Sequence, residues 1–138
     1  MISVQCIINA SIAKVWELWT LPEHIVNWNY PSEEWHTIAA ENDLKINGQF
    51  KYTMQAKDKS ATFDFEGIYT EIKVLSLIEY MLSDNRKGTI LFEEHNGNVK
   101  LTEIFEPNLQ DSEDMQKQWC QTVIDNFKIY AEHIKNNN

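Results

Sequence analysis

The hydrophobic period of this chain changes three times, and this limits the folds open to it more than any other feature. Apolar residues alternate with polar ones in an opening segment, recur at helical spacing up to Pro31, alternate again up to Phe105, and return to helical spacing from Ser112. Alternation is typical of strands with one buried face, whereas spacing of three and four is typical of amphipathic helices. The sequence therefore predicts the order strand, helices, strands, helix.

The segment before Pro31 predicts one strand and two short helices. The strand spans Ile2 to Ile8, where every second residue is apolar. The first helix carries its apolar face at Ile12, Val15, Trp16 and Trp19. Ser11 can cap this helix, and Pro22 can end it and occupy the first position of a second helix, because proline lacks the N–H that a helix interior needs. The second helix would turn Ile25 and Trp28 inward.

The middle of the chain predicts amphipathic strands joined by short turns. Their expected inward faces are Phe50, Tyr52 and Met54; Phe63, Phe65, Gly67 and Tyr69; Ile78, Tyr80 and Leu82; Ile90 and Phe92; and Val99, Leu101 and Phe105. Turn sequences such as Asn47-Gly48 and Asn96-Gly97 separate the strands, and tight turns join antiparallel neighbours.

The last segment predicts one helix from about Ser112 to about Lys135, on the order of 36 Å long. Its apolar stripe comprises Met115, Trp119, Thr122, Val123, Phe127, Tyr130, Ala131 and Ile134. A curved antiparallel sheet of about seven strands needs cover on its concave face, which a helix of this length can supply. The predicted class is therefore an α+β fold in which a curved antiparallel sheet and the terminal helix grip a core between them, with residues 1–138 forming one domain.

Charge and residue spacing disfavour several classes of function. The net charge is −9 and the pI is near 4.8, so the chain is expected to repel nucleic acid and anionic membranes. Neither a signal peptide nor a spanning apolar run is present, which favours a cytoplasmic location. Cys6 and Cys120 predict buried free thiols. The histidines show no metal-ligand spacing, and no catalytic constellation or cofactor motif occurs, so we expect a protein that is not an enzyme.

Several motifs match a known family over nearly the whole chain. They are INASIAKVWELWTLPEHIVNWNYP, Asn47-Gly48, Gly67-Ile68-Tyr69-Thr70-Glu71-Ile72, Lys100-Leu101-Thr102 and Trp119. With them, the sequence resembles the START-like helix-grip (SRPBCC) superfamily, and more narrowly the small bacterial relatives of the activator of heat-shock protein 90 ATPase. The resemblance implies a cavity-bearing fold whose relatives bind lipids, sterols, polyketides or a chaperone partner, sometimes with catalysis. Fold analogy alone does not select among these functions.

One residue departs from the alternating pattern. Glu103 lies in the inward set of the last strand, between Leu101 and Phe105, where an apolar residue is expected. Either Glu103 projects into a cavity and holds the polar end of a ligand, or the strand bulges and the carboxylate reaches solvent or pairs with a lysine or arginine. An unpaired buried acid is rare, which favours the second reading.

The leading hypothesis is a small non-enzymatic domain that binds an apolar small molecule between sheet and helix. The residues expected to border that cavity are Trp28, Phe50, Tyr52, Phe63, Tyr80, Leu101, Glu103, Trp119, Val123 and Phe127, with Trp28 at its mouth. The alternatives are a protein-interaction module that docks a chaperone, and a hydrolase or cyclase acting on an aromatic substrate.

Overall fold

The computed structural model describes residues 1–136 and confirms the α+β helix-grip class. The helices are α1 (Ile12–Thr20), α2 (Pro22–Trp28) and α3 (Glu113–Asn136). The strands are β1 (Ile2–Ile8), β2 (Trp35–Asn42), β3 (Gln49–Ala56), β4 (Thr62–Lys73), β5 (Leu77–Leu82), β6 (Lys87–His95) and β7 (Asn98–Phe105). The order of the elements is the one that the hydrophobic period predicts.

The strands form one antiparallel sheet in the order β1-β7-β6-β5-β4-β3-β2. Consecutive strands from β2 to β7 are neighbours, whereas the opening strand pairs with the last one, Ile2 opposite Phe105 and Ile8 opposite Val99. This pairing brings the start of the chain beside the segment that leads into α3. The α1 helix follows the other end of β1, and α2 packs mainly against β2 at the far edge of the sheet.

Two irregularities in strand pairing change which residues face inward. The pairing shifts between Tyr69 and Glu71 in β4, and between Thr37 and Ala39 in β2. In β4 the next inward-facing residue after Tyr69 is Ile72 and not Glu71. The extra residue at the bulge shifts by one position which residues face inward. Such bulges also bend a strand, which contributes to the curvature of the sheet.

The turn between β6 and β7 is the tight hairpin that Asn96-Gly97 predicts. Both residues have positive φ angles, 52° and 85°, which matches the right-handed twist of the flanking strands. Asparagine tolerates this region and glycine enters it without a steric cost. The sequence pair thus determines a local geometry that the structure adopts.

The helix pair begins and ends as the sequence predicts. The Ser11 hydroxyl accepts a hydrogen bond from the Lys14 N–H at 3.2 Å, which caps α1. The Leu21 N–H donates to the Glu17 carbonyl at 3.1 Å and closes the last turn of α1. Pro22 then occupies the first turn of α2, where its missing N–H removes no helical hydrogen bond.

The start of α3 corrects the predicted apolar stripe. Met115, expected inward, is 48% exposed, and the neighbouring Gln116 is buried instead. The Gln116 side-chain amide accepts from the Asn108 N–H at 2.9 Å and donates to the Asp111 carbonyl at 2.9 Å. These bonds satisfy backbone groups of the loop before α3, so the inward position at this turn is taken by an amide. Further along, the fully buried residues of α3 are Ile124, Phe127 and Ala131.

The position of α3 leaves part of the sheet uncovered. Its contacts with strands are chiefly with β1, where the Gln121 amide donates to the Gln5 carbonyl at 3.0 Å and the Lys128 ammonium donates to the Ile7 carbonyl at 2.6 Å. It also touches α1 and α2. The concave face of the strands farther from β1 is therefore not packed directly against this helix. Within residues 1–136, no helix combines the length and apolar character that a membrane span requires.

Candidate functional site

A cavity of about 490 Å³ lies between the concave face of the sheet and the first half of α3. Aromatic side chains form a large part of its wall, and they come from all three helices and from β2, β3, β4, β5 and β7. Of the residues that the sequence nominates, those that line it are Trp28, Phe50, Tyr52, Phe63, Tyr80, Glu103, Trp119 and Val123. The structure thus brings side chains from the middle and the end of the chain around one space.

Leu101 and Phe127 do not line the cavity, which corrects the expectation for both. Each is fully buried. The Phe127 ring packs edge-on against Trp19 and Trp28, with centroids 5.0 and 4.9 Å apart. Around Phe127, the indole rings of α1 and α2 fill the space between the sheet and α3. An inward-facing side chain there packs against protein atoms and does not reach the cavity.

Trp28 lies deep in the structure and not at the mouth of the cavity. It is 2% exposed, its indole N–H donates to the Leu18 carbonyl at 3.1 Å, and its ring stacks on Trp19 at 4.5 Å. Trp19 itself lines the cavity, although its helical spacing predicts only that it lies on the apolar face of α1. The cavity therefore ends against a stacked pair of indoles.

Several cavity residues were not foreseen from the sequence. They include Trp35, Arg86, Gln116 and Cys120. Arg86 is the only arginine in the sequence, and this rarity could have marked it as a candidate site residue. Gln116 and Cys120 face the cavity because of how α3 is rotated about its axis. The spacing of apolar residues predicts that rotation only to within one residue position.

Glu103 opens onto the cavity from an uninterrupted strand. Its pairing is regular on both sides, with Val4 of β1 and Ile90 of β6. Its Oε2 accepts a hydrogen bond from the Tyr80 hydroxyl at 2.6 Å. Among the residues that the structure describes, no lysine or arginine forms an ion pair with it. The reading in which a bulge or an ion pair removes Glu103 from the interior does not hold.

Gly88 makes the contact between Tyr80 and Glu103 sterically possible. Tyr80 lies on β5 directly opposite Gly88 of β6, and Glu103 lies on β7, one strand further. A Cβ atom at position 88 would stand 2.2 Å from Cζ of the Tyr80 ring. Because glycine has no such atom, the ring can lie across β6 and carry its hydroxyl to the carboxylate.

Burial dominates the electrostatics of the cavity. It raises the pKa of Glu103, and the hydrogen bond from Tyr80 lowers it in smaller measure. Burial also raises the pKa of Tyr80, an effect that the nearby Glu103 charge increases. The pKa of the Cys120 thiol is raised for the same two reasons, burial first, so this thiol is held in its unreactive form. Burial therefore favours the neutral form of each of these three groups.

The cavity wall holds one further polar group without a partner. The side-chain Nδ2 of Asn29 is buried and donates no hydrogen bond within the described part of the chain. The backbone carbonyl of the same residue accepts from the Thr37 hydroxyl, which fixes its position. Across residues 1–136, no group of three or more His, Cys, Asp or Glu side chains is arranged to hold a metal ion.

A curved antiparallel sheet that grips a long terminal helix around a lined cavity defines a START-like helix-grip protein. The family model described as Activator of Hsp90 ATPase homolog 1-like protein matches residues 9–132, and the chain belongs to this family.

Solved structures agree with this assignment. The chain is similar to an AHSA1-like protein from Aeromonas hydrophila, with 31% identity, coverage of 96% of this chain and 94% of that one, and a TM-score of 0.87. A protein from Cytophaga hutchinsonii is 39% identical, over 99% of this chain and 95% of that one, with a TM-score of 0.83. A protein from Nitrosomonas europaea is 16% identical, covers 98% and 97%, and has a TM-score of 0.78, so it shares the fold. The search of curated proteins gave no significant match.

Proposed function

We propose that this protein is a non-enzymatic domain that binds an apolar small molecule in the cavity between the sheet and α3. The observation that supports this proposal is the cavity itself, because a volume of about 490 Å³ falls within the range of roughly 300–1,000 Å³ that is typical of ligand sites. Protein interiors are otherwise packed with few voids larger than a water molecule. A mainly apolar wall that is rich in aromatic side chains suits a ligand that is mostly apolar.

Val123→Trp is expected to lower the affinity for the neutral dye Nile red at least tenfold, about 1.4 kcal/mol. Val123 lines the cavity from α3, so a larger side chain there occupies the space that the dye needs. The control is Gln118→Trp, which adds the same indole to an exposed position of the same helix. Fluorescence titration measures the affinity, and thermal unfolding shows whether either variant changes stability. Unchanged binding by Val123→Trp would contradict the proposed location.

A second candidate function is docking to a chaperone, which membership of the Activator of Hsp90 ATPase homolog 1-like family favours. The acidic charge would suit a basic partner surface. We expect calorimetry with heat-shock protein 90 from the same source to show no binding tighter than roughly 10 μM, near −7 kcal/mol. Submicromolar, salt-sensitive binding, or a clear rise in the chaperone's ATPase rate, would rank this function ahead of ligand binding.

The proposal includes a cytoplasmic location. Both cysteines are free thiols, as is usual in a reducing compartment. The hydrolase or cyclase alternative stays a prediction, with Glu103 as the residue that such chemistry would use because its carboxyl group opens onto the cavity.

A further inference from the structure

Glu103 has one carboxylate oxygen that no protein group satisfies. Tyr80 donates to Oε2, and Oε1 accepts no hydrogen bond from any residue that the structure describes. Among the described residues, the only side-chain nitrogen or oxygen that is both inaccessible and without a hydrogen-bond partner is Asn29 Nδ2. Glu103 Oε1 also lacks a partner, so it must be accessible from the cavity. Oε1 therefore remains free to accept a hydrogen bond from a molecule in the cavity.

Glu103 has no ion-pair partner among the residues that the structure describes. Its partners on the adjacent strands are Val4 and Ile90, both apolar and buried. Arg86 also lines the cavity, but it forms no ion pair with Glu103, and its Nε donates to Asp84 at 2.7 Å. A buried carboxylate without a counter-charge is costly, and a cation brought by a ligand would offset that cost.

The rest of the wall suits a cation attached to an apolar body. Rings of Trp19, Trp28, Tyr52, Tyr80 and Trp119 line the same cavity as Glu103. Aromatic faces attract ammonium groups electrostatically, and more strongly where water is excluded. A negatively charged ligand group would instead meet Glu103 in a medium that screens charge poorly.

We propose that Glu103, held in place by Tyr80, anchors the protonated amine of an apolar ligand, which makes this cavity selective for lipophilic amines. The inference rests on the proposed function and adds the chemical class of the ligand. Oε1 accepts the ammonium hydrogen bond, Tyr80 retains its own bond to Oε2, and the aromatic wall covers the apolar part. A neutral alcohol can donate the same hydrogen bond but does not neutralise the carboxylate, so it binds less tightly.

The selectivity should depend on pH. The raised pKa of Glu103 means that its carboxyl group is neutral at low pH, and a neutral acid has no charge to offer an ammonium group. The other ionisable side chains that line the cavity are Tyr52, Tyr69, Tyr80, Arg86, Asp111 and Cys120. The pKa values of the tyrosines and of Cys120 are raised, so these groups stay neutral between pH 5 and pH 8. Asp111 is exposed, and the Nε of Arg86 donates to Asp84 at 2.7 Å.

The test compares three probes that share one naphthalene ring: 2-(2-naphthyl)ethylamine, 2-(2-naphthyl)ethanol and 2-naphthylacetate. Calorimetry at pH 8 is expected to show the amine binding about tenfold more tightly than the alcohol, with the acid weakest. Lowering the pH through the raised pKa of Glu103 should remove most of the amine's advantage while the affinity for the alcohol stays constant. This ranking is measured on the unmodified protein and needs no variant.

Glu103→Gln is expected to weaken amine binding about tenfold and to change alcohol binding less than about twofold. The matched control is Glu79→Gln, which removes the same charge from the outward face of β5, next to Tyr80 in sequence. The Glu103→Gln variant should fold, because an acid whose pKa is raised in the folded state destabilises that state once it ionises. This loss of stability develops as the pH rises from the ordinary pKa of a glutamic acid through the raised pKa of Glu103. Glutamine does not ionise, so the variant does not lose this stability. The unfolding temperature of the variant at pH 8 should equal or exceed that of the parent.

The outcomes separate this inference from the proposed function. If amine and alcohol bind equally and Glu103→Gln changes neither, the amine anchor is wrong while ligand binding in the cavity stands. If the three probes and Nile red all fail to bind, the cavity is not a ligand site and both proposals fall. An equal loss of amine binding in Glu79→Gln would also contradict the anchor, because the effect would then come from overall charge.

Discussion

Phe127→Ala is expected to lower the free energy of unfolding by about 3–5 kcal/mol, the range for a fully buried phenylalanine. The ring is 0% exposed and packs against Trp19 and Trp28, so its removal leaves a void that three rigid elements surround. These neighbours belong to α1 and α2, so the Phe127 ring packs α3 against both short helices. Urea denaturation followed by tryptophan fluorescence measures the change.

The same substitution at Phe63 provides the matched control. Phe63 is 44% exposed and lines the cavity, so Phe63→Ala removes a ring that already faces open space. We expect a loss of no more than about 1.5 kcal/mol there, since less apolar surface returns to water. Equal losses at positions 63 and 127 would mean that Phe127 does not have the core role that its burial assigns to it.

Gly88→Ala is expected to cost about 1–3 kcal/mol and to break the contact between Tyr80 and Glu103. The added methyl group would overlap the Tyr80 ring, and the ring can avoid it only by rotating into the cavity. The variant should therefore lose stability and Nile red affinity together. Both are measurable on the same preparation, by urea denaturation and by dye titration.

A double-mutant cycle with Tyr80→Ala tests the cause of that loss. Once the Tyr80 ring is absent, the methyl group at position 88 has nothing to overlap, so Gly88→Ala should then cost less than about 0.5 kcal/mol. If the cost is the same in both backgrounds, the glycine is needed for the backbone of β6 rather than for the tyrosine.

The period of the apolar residues was sufficient to predict the order of the elements, because the two regular structures repeat side-chain directions at different intervals. The break between α1 and α2 at Pro22 and the hairpin at Asn96-Gly97 could be predicted equally well, since each depends on the chemistry of one or two residues. The inward faces of β3 and β5 follow directly from alternation. In β2 and β4 alternation fails after a bulge, which arises from pairing with a neighbouring strand and leaves no local signal.

Only part of the candidate site could be predicted from the sequence. An acid in an apolar alternation drew attention to Glu103, but its bond to Tyr80 spans three strands and requires Gly88 between them. Leu101 and Phe127 share the pattern of cavity residues and yet lie in solid packing, because α1 and α2 fill one end of the space and not the other. Periodicity reports which face of an element is buried, and it carries no information about what that face meets.

The sequence by itself determined the secondary structure and the order of its elements, because these follow from local periodicity, capping and turn residues spread along the chain. The family was accessible through motifs that resemble those of known relatives. The tertiary structure alone decided that α3 lies mainly along β1, and that the concave face beyond it encloses a cavity instead of a filled core. It also decided the rotation of α3 that brings Gln116 and Cys120 inward in place of Met115. These features depend on the distance and angle between elements far apart in sequence, which packing sets and the order of residues does not display.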